Sequence, residues 1–380
     1  MRQFRQFVFR ALVPFSLVAL LLSSCSSGGR MAVLPPTPQP TLVPRFAFVA
    51  SQDNTVSTYD IDSSTGKLHN SGSVVTGGST AISLAVDPTG RFAYVAHNTG
   101  GGVSAFSIDA DTGALTRVGS AVSAGVRPRF VTVHPNGKFV YVADEVSGNI
   151  FAYAIAPNTG TLTSIGVPAH TDRAPLSLAL DPTGRFAYAV NSDLNTVSLF
   201  TVDEITGALE ASGIPIQVNN DPEFLMVHVS GKFAYVANTV SQNISVLAID
   251  STNGTLTRVG APVSTSGTFP RAIAGDPSGK FLYVANFGTG DICTFAVDAG
   301  TGALSPIGSR VPTGAGPSSM HVDASGKYLY VANSQSDNVS VFAIDPNKGT
   351  LSSSGPPIAA GMTPSSVVTI AKLAEDNSSK

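Results

Sequence analysis

The sequence is poor in charged residues and in cysteine. Lys, Arg, Asp and Glu make up 12% of the 380 residues, and Lys and Arg form no basic stripe of the kind that binds a phosphate backbone. The two cysteines are Cys25 and Cys293, and the N-terminal pattern assigns Cys25 a separate role. Cys293 is therefore expected to be a small buried residue without a disulfide partner. These shortages argue against nucleic-acid binding and against a disulfide framework.

Several motifs of enzyme and cofactor sites are also missing. The sequence contains no Gly-x-Ser-x-Gly nucleophile elbow, no phosphate-binding loop and no Gly-x-Gly-x-x-Gly after a strand. His97, His170 and His321 do not show the spacing of metal ligands, and His69 lies next to a turn. We therefore expect neither a cofactor nor a metal site.

Turn-forming residues are abundant. The chain has 37 glycines and 25 prolines, which separate many short apolar runs. Glycine permits unusual backbone angles and proline fixes them, so this composition is typical of a β protein with many reversals. Long helices are not expected, and the one extended apolar run, residues 11–22, is shorter than the roughly 20 residues that span a bilayer.

The N-terminus resembles a bacterial lipoprotein signal. The first ten residues contain three arginines and no acid, the apolar run of residues 11–22 follows, and Leu22-Ser-Ser-Cys25 comes directly after it. We expect residues 1–24 to be removed as a signal peptide and Cys25 to carry the lipid. The alternative is an ordinary secretory signal with an incidental cysteine.

A lipidated Cys25 predicts a location in the cell envelope. Residues 25–44 would form a proline-rich tether, and the lipid would be the only contact with the membrane. Without the three signal arginines, 19 basic residues stand against 25 acidic ones, a net charge of −6. In a bacterium with two membranes, the expected location is the outer membrane or the periplasm.

Seven similar segments follow one another at a nearly constant period. They are spaced 46, 47, 47, 47, 48 and 47 residues apart and begin at Phe46, Phe92, Phe139, Phe186, Phe233, Phe281 and Tyr328. A period of this size indicates a propeller or a solenoid. The two-residue alternation of runs such as Phe233–Asn238 is that of strands, which excludes a helical solenoid, and a β-helix repeat would be much shorter.

We therefore predict an all-β fold, a seven-bladed β-propeller with four antiparallel strands per blade over residues 45–371, and a tail over 372–380. The chain enters at the second strand of a blade and ends with an innermost strand, Pro364–Ile370, that lacks its continuation. The two ends are expected to share one blade, which removes exposed sheet edges. The seven leading aromatics are predicted to be core residues, and the protein a monomer.

The repeat units resemble a known family. Tyr-Val-Ala-Asn occurs at Tyr235–Asn238, Tyr283–Asn286 and Tyr330–Asn333, which is similar to the YVTN-type propeller repeat. Residues 45–371 resemble the seven-bladed lactonase family, which is similar to bacterial 6-phosphogluconolactonases and fungal muconate-lactonising enzymes. The resemblance implies a propeller that hydrolyses a lactone.

The resemblance also implies site residues in one blade. The enzymes read Pro-Arg-His, then His-Pro-Asn-Gly, then a strand ending in Asn-Glu, and the arginine, the first histidine and the glutamate belong to the site. The corresponding residues here are Arg129, Phe130 and Glu145, so two match and Phe130 replaces the histidine. A further site histidine of the enzymes, in the preceding blade, corresponds to Ser83.

The strand pattern places a candidate site at one end of the ring, the mouth. Strands 129–134 and 139–145 join through a tight turn, which puts Arg129 beside Asp144 and close to Glu145. The same end receives the start of every innermost strand and the loops between second and third strands. Four side chains from other blades should gather there: His97, Glu223, Arg271 and Phe287.

Arg129, Glu145 and Arg271 are the predicted catalytic residues. The two arginines would hold a carboxylate or an oxyanion, while Glu145 or His97 moves a proton. Ligand contacts are expected from His97, Asp144, Glu223 and Phe287. The alternative is a structural, ion-paired rim. His134 and His228 occupy positions held by aspartate in other blades and are predicted to be turn residues.

Two functions remain open from the sequence. One is an envelope-anchored hydrolase of a sugar lactone or a related small-molecule lactone. The other is a non-catalytic propeller that binds an envelope protein, a glycan or a small ligand at the mouth. DNA binding is opposed by the acidic balance of charge.

Overall fold

The computed structural model describes residues 42–373, and every regular element in this range is a β-strand. The strands form seven separate sheets, one for each predicted blade. No helix in the described range is long and apolar enough to cross a membrane. The predicted signal peptide, the lipidation site Cys25 and residues 26–41 of the predicted tether lie outside the described residues.

The strands occupy four positions in each blade. The innermost strands are β4 (Ser79–Val86), β8 (Pro128–Val133), β13 (Pro175–Leu180), β17 (Pro222–Val227), β22 (Pro270–Gly275), β26 (Pro317–Val322) and β31 (Pro364–Leu373). The second strands are β1 (Leu42–Ser51), β5 (Phe92–Thr99), β9 (Phe139–Asp144), β14 (Phe186–Asn191), β18 (Phe233–Asn238), β23 (Phe281–Asn286) and β27 (Tyr328–Asn333).

The third strands are β2 (Thr55–Ile61), β6 (Gly102–Ile108), β10 (Asn149–Ile155), β15 (Thr196–Val202), β19 (Asn243–Ile249), β24 (Asp291–Val297) and β28 (Asn338–Ile344). Four outermost strands are continuous: β3 (Leu68–Val75), β7 (Leu115–Ser123), β16 (Leu209–Gln217) and β25 (Leu304–Pro312). The other three are interrupted, as β11 (Leu162–Ser164) with β12 (Ala169–His170), β20 (Leu256–Arg258) with β21 (Val263–Ser264), and β29 (Leu351–Ser353) with β30 (Ile358–Ala359).

The blades form a closed ring. Each innermost strand contacts the innermost strands of both neighbouring blades, and β31 contacts β4 to complete the circle. All neighbouring strands within a blade are antiparallel. The fold is therefore the seven-bladed β-propeller that the sequence predicts.

One blade contains both ends of the described chain. The innermost strand β31 pairs with β1 from Leu42 opposite Leu373 to Ser51 opposite Pro364, and β1 pairs in turn with β2. This confirms the shared closing blade. The pairing begins before residue 45 and continues past residue 371, so the sheet is longer at both ends than the predicted bounds of the propeller.

The blade interfaces repeat one packing contact. The leading aromatic of each second strand lies over a turn glycine of the following blade: Phe46 over Gly113, Phe92 over Gly160, Phe139 over Gly207, Phe186 over Gly254, Phe233 over Gly302, Phe281 over Gly349 and Tyr328 over Gly66. A Cβ at Gly207 would lie 2.4 Å from the Phe139 ring, and the φ angle of Gly207 is 75°. The seven aromatics are buried, as predicted.

A hydrogen bond accompanies this contact in six blades. A buried tyrosine donates its hydroxyl to the carbonyl of the same glycine: Tyr94 to Gly160, Tyr141 to Gly207, Tyr188 to Gly254, Tyr235 to Gly302, Tyr283 to Gly349 and Tyr330 to Gly66. The closing blade has Phe48 at this position. The aromatic ring is thus removed from water, while its hydroxyl keeps a hydrogen-bond partner.

His134 and His228 lie in turns on the face opposite the mouth. The Nε2 atoms of both rings lie 2.9 Å from a carbonyl oxygen of the next blade, that of Gly184 for His134 and that of Gly279 for His228. Their Nδ1 atoms accept backbone N–H groups within their own turns. Both histidines are turn residues, as predicted.

Candidate functional site

Every blade contributes a side chain from the start of its innermost strand to the mouth of the channel. Six innermost strands begin at a proline, with Ala81 in the equivalent place in β4, and the next residue lines a cavity of about 200 Å³. This mouth position holds Ile82, Arg129, Leu176, Glu223, Arg271, Ser318 and Ser365. The seven blades therefore present different chemistry at one place in the repeat.

Arg271 and Glu223 form a bidentate ion pair between neighbouring blades. The Nε atom of Arg271 lies 2.6 Å from Oε2 of Glu223, and Nη2 lies 3.1 Å from Oε1. The guanidinium carbon lies 4.3 Å from the centroid of the Phe287 ring. The structure therefore brings the predicted residues Glu223, Arg271 and Phe287 together. Glu223 and Arg271 line the cavity, whereas Phe287 contacts Arg271 from outside it.

Arg129 is the second cation of the cavity, and it is paired more loosely. Its Nε atom lies 3.7 Å from Oε2 of Glu145, whose Oε1 lies 3.7 Å from Nη1 of Arg127. Within residues 42–373 the Nη atoms of Arg129 make no hydrogen bond. Glu145 does not line the cavity. The Nη groups of Arg129 are therefore available as hydrogen-bond donors in the cavity. Glu145 contacts the Arg129 guanidinium from outside the cavity and orients it.

Asp144 lies beside this cluster but faces the backbone. Its side chain is fully buried and accepts the backbone N–H groups of Arg127 and Ser147. It does not line the cavity. These two hydrogen bonds hold the loops that contain Arg127 and Ser147 together beside the mouth. Asp144 therefore has a structural role.

His97 is likewise buried away from the cavity. It is 1% exposed, its Nε2 atom lies 2.9 Å from the hydroxyl of Ser104, and that hydroxyl donates to the carbonyl of Thr76. Burial, reinforced by the nearby Arg117, lowers the pKa of His97 to about 4. The ring is therefore neutral near pH 7, and it does not line the mouth cavity.

The position of His97 belongs to a repeated internal contact. Asn191, Asn238 and Asn333 hold the equivalent place and donate to Ser198, Ser245 and Ser340. In a further blade Asn286 donates to the sulfur of Cys293, which in turn donates to the carbonyl of Thr265. Cys293 thus replaces a serine, and burial raises the pKa of its thiol. It is a small buried residue, as predicted.

Serines form the uncharged wall of the cavity. They come from the blade that contains β26, from the closing blade and, for one residue, from the blade that contains β4: Ser318, Ser319, Ser334, Ser365, Ser366 and Ser83. Ser318 and Ser365 donate to backbone carbonyls of adjoining blades, at 2.8 and 2.9 Å. A serine that donates in this way keeps lone pairs for a ligand hydroxyl. Sequence reasoning missed this wall, although comparison of the mouth position across the repeats would have revealed Ser318 and Ser365.

Phe130 and Phe224 mark the inner end of the mouth cavity. Their ring centroids are 5.9 Å apart and their planes are inclined at 73°. Both rings also line a second cavity, of about 350 Å³, deeper in the channel. Phe130, which replaces the histidine of the family pattern, is therefore part of an aromatic pair that bounds two cavities.

The described residues contain no group of three or more His, Cys, Asp and Glu side chains that could hold a metal ion. The polar groups that line the mouth are two guanidinium groups, one carboxylate, the amide of Gln52 and several hydroxyls. Such a set can bind an anion or a developing oxyanion and can accept a proton.

The fold agrees with solved structures of low sequence identity. A candidate 6-phosphogluconolactonase from Bacteroides uniformis has a TM-score of 0.78 at 21% identity, covering 87% of this chain and 100% of its own. The periplasmic gluconolactonase of Pseudomonas aeruginosa has a TM-score of 0.76 at 21% identity, covering 87% and 99%. A protein from Lactobacillus plantarum has a TM-score of 0.75 at 23% identity, covering 86% and 99%.

No curated protein matches the sequence. A family model described as "Lactonase, 7-bladed beta-propeller" matches residues 44–129, 128–226, 224–316 and 278–368. These ranges include the mouth position of every blade and nearly the whole ring. The chain therefore belongs to the seven-bladed β-propeller lactonase family.

Proposed function

We propose that this protein hydrolyses a sugar lactone or a related lactone at the mouth of its channel. The observation that carries the proposal is that Arg129, with its unpaired Nη donors, shares one cavity with the Glu223–Arg271 pair. Family membership and the gluconolactonase likeness support the same chemistry. The serine wall suits the hydroxyl groups of a sugar-derived ring.

Arg129 binds the carbonyl oxygen of the lactone. Water adds to the carbonyl carbon, and the oxygen that gains negative charge receives hydrogen bonds from the guanidinium group. The ring C–O bond then breaks, the ring oxygen leaves as a hydroxyl group, and the products are a carboxylate and one released proton. The product carboxylate remains a good partner for Arg129 until it is displaced.

Glu223 accepts the proton of the attacking water. It is the carboxylate that lines the cavity, and the bidentate contact with Arg271 fixes its position. Glu145 acts as a positioning residue for Arg129, since it contacts that guanidinium at 3.7 Å and stays outside the lining. This differs from the sequence-based hypothesis, in which Glu145 or His97 moves the proton.

The test is hydrolysis of a panel of sugar and aliphatic lactones by the purified protein, corrected for spontaneous ring opening. Arg129→Ala is expected to lower kcat/KM by about one hundred- to one thousand-fold, the usual cost of removing an oxyanion donor. Glu223→Gln should lower kcat, and Glu145→Ala should chiefly raise KM. A panel without turnover beyond the spontaneous rate would contradict the proposal.

A second candidate function is ligand binding without catalysis. It is favoured by the pairing of Glu223, the carboxylate that lines the cavity, with Arg271, because an ion-paired carboxylate is a weaker base. Calorimetric titration with hydroxy acids separates the two functions. Binding that is lost in Arg129→Ala, together with no lactone turnover, would favour this alternative, as would capture of an envelope protein or glycan at the mouth.

We also propose that the protein acts in the cell envelope, anchored through lipid on Cys25. The support is the order of arginines, apolar run and Leu22-Ser-Ser-Cys25 in the sequence. Cys25→Ala should abolish incorporation of labelled palmitate and release the protein from the membrane fraction. Retention of label in the variant would contradict this anchor.

A further inference from the structure

The deeper half of the channel differs in chemistry from the mouth. Its cavity of about 350 Å³ contains no charged side chain, and its polar side chains are Thr132 and His321. The remaining lining is aromatic, aliphatic or glycine: Phe130, Leu178, Ala179, Leu180, Phe224, Leu225, Met226, Val227, Ile273, Ala274, Gly275, Met320 and Val322. A charged or heavily hydroxylated group would lose favourable hydration on entering this cavity, whereas a hydrocarbon group would be stabilised by leaving water.

The two polar side chains do not alter this character. Nδ1 of His321 lies 2.9 Å from the hydroxyl of Thr369, a residue of the closing blade. Burial lowers the pKa of His321 to about 4, so the imidazole is neutral near pH 7. The deep cavity is therefore uncharged as well as largely apolar.

The deep cavity adjoins the mouth cavity at the Phe130–Phe224 pair. Phe130 and Phe224 line both spaces, and the other five blades carry Ser or Ala at this level: Ser83, Ser177, Ala272, Ser319 and Ser366. The aromatic pair thus occupies one side of the channel. One molecule can therefore extend past the pair from the polar space into the apolar one.

The depth of the channel fits an extended substituent. The innermost strand descends about 3.3 Å per residue, so Thr132 lies roughly 10 Å below the level of Arg129. A lactone ring held at Arg129 leaves this depth for a chain attached to the ring. A bare sugar lactone would fill the mouth alone and leave the deep cavity unused.

We propose that the ligand is a lactone with a hydrocarbon tail, whose ring lies at Arg129 and whose tail lies below the Phe130–Phe224 pair. This inference rests on the proposed function and narrows its substrate class. The polar ring meets the guanidinium, carboxylate and serine groups, and the tail meets the aromatic, Leu and Met side chains. The product is the corresponding hydroxy acid with the same tail.

The experiment compares ligands that differ only in tail length. Hydrolysis is measured for the γ-lactones from γ-butyrolactone to γ-decalactone, with gluconolactone alongside, and binding of the matching 4-hydroxyalkanoates is measured by calorimetry. Each buried methylene should lower Kd and KM by about fourfold until the tail reaches the end of the cavity. Calorimetry reports the tail site without requiring turnover.

Ala179→Leu narrows the deep cavity without touching the mouth, because Ala179 lines only the deep space. In this variant Kd and KM should no longer fall as the tail lengthens. The KM for γ-butyrolactone should stay at the wild-type value, which serves as the internal control for folding. Turnover of gluconolactone with affinities that do not rise with tail length would overturn this inference and leave the proposed function standing. Length-dependent binding without any hydrolysis would uphold the tail site and refute the lactonase function.

Discussion

The two faces of the propeller use the same repeat in opposite ways. On the turn face, opposite the mouth, all seven blades place an aromatic ring over a glycine of the next blade, and six add a tyrosine hydrogen bond to that glycine. At the mouth position the seven blades carry Ile, Arg, Leu, Glu, Arg, Ser and Ser. A contact that every blade needs for packing is repeated, whereas a site for one asymmetric ligand requires different groups.

This contrast separates stability from function within one chain. Residues on the turn face should affect the free energy of unfolding and leave catalysis intact. Substitutions at the mouth position should lower catalysis and leave the free energy of unfolding nearly unchanged, since Arg129 is partly exposed and loosely paired. The blades are similar enough that a change in one can be matched by a control in another.

The largest expected difference is between two arginines. Arg129→Ala should lower kcat/KM about one hundred- to one thousand-fold with little change in Tm. Arg185 lies on the turn face, 5.0 Å from the Phe186 ring centroid, and donates to the carbonyl of Thr252. Arg185→Ala should cost about 1 kcal/mol of unfolding free energy and leave kcat/KM unchanged. Equal losses of activity in both variants would remove the distinction between the faces.

A substitution in the repeated contact should destabilise the protein strongly. Gly207→Ala combines an unfavourable φ of 75° with a Cβ placed 2.4 Å from Phe139. The expected cost is about 3 kcal/mol in chemical unfolding. Gly213 also has a positive φ but no atom within 4 Å of the added Cβ, so Gly213→Ala is the matched control and should cost about 1 kcal/mol.

His97 should make stability sensitive to acid. Its pKa is about 4 in the folded protein and near 6.5 in an unfolded chain, so the unfolded state binds more protons between these values. The stabilisation is complete above pH 6.5 and is lost as the pH falls towards 4, by up to about 3 kcal/mol. His97→Asn, which introduces the residue that four other blades carry at this position, should flatten the decline of Tm between pH 7 and 4.5. An unchanged pH profile would show that His97 already protonates in the folded state.

The smallest expected effect concerns the tyrosine that one blade lacks. Tyr235→Phe removes the 3.0 Å hydrogen bond to Gly302 and should cost about 1 kcal/mol. Phe48→Tyr should supply the missing donor in the closing blade and raise Tm by about 1 to 2 °C. If Phe48→Tyr lowers Tm instead, the closing blade does not share the interface geometry of the other six.

The fold was predictable because its information is periodic. The 46- to 48-residue spacing of Phe46 and its counterparts identified the blades, and the unpaired run at Pro364 identified the shared one. The interrupted outermost strands, such as β11 and β12, were not predicted. These segments touch few partners, so local sequence does not determine where their pairing stops.

The mouth was predicted only in part. The starts of β8, β17 and β22 placed Arg129, Glu223 and Arg271 in one cavity, because a residue after the first proline repeats in every blade. His97 and Asp144 also lie near the mouth ends of second strands, but their side chains are buried and contact Ser104 and the Arg127 backbone instead. The Phe130–Phe224 pair was not predicted. It joins residues of different blades, and the repeat pattern gives no information about distances between blades across the channel.

The closing blade makes the order of synthesis matter. Among residues 42–373 its innermost strand is the last and its other three strands are the first, so β1 lacks this partner until residue 373 has been synthesised. The pairing between the chain ends has a very large sequence separation, which is typical of slow folding steps. An incomplete chain that lacks β31 would therefore leave the edge of β1 unpaired, and an unpaired strand edge favours aggregation.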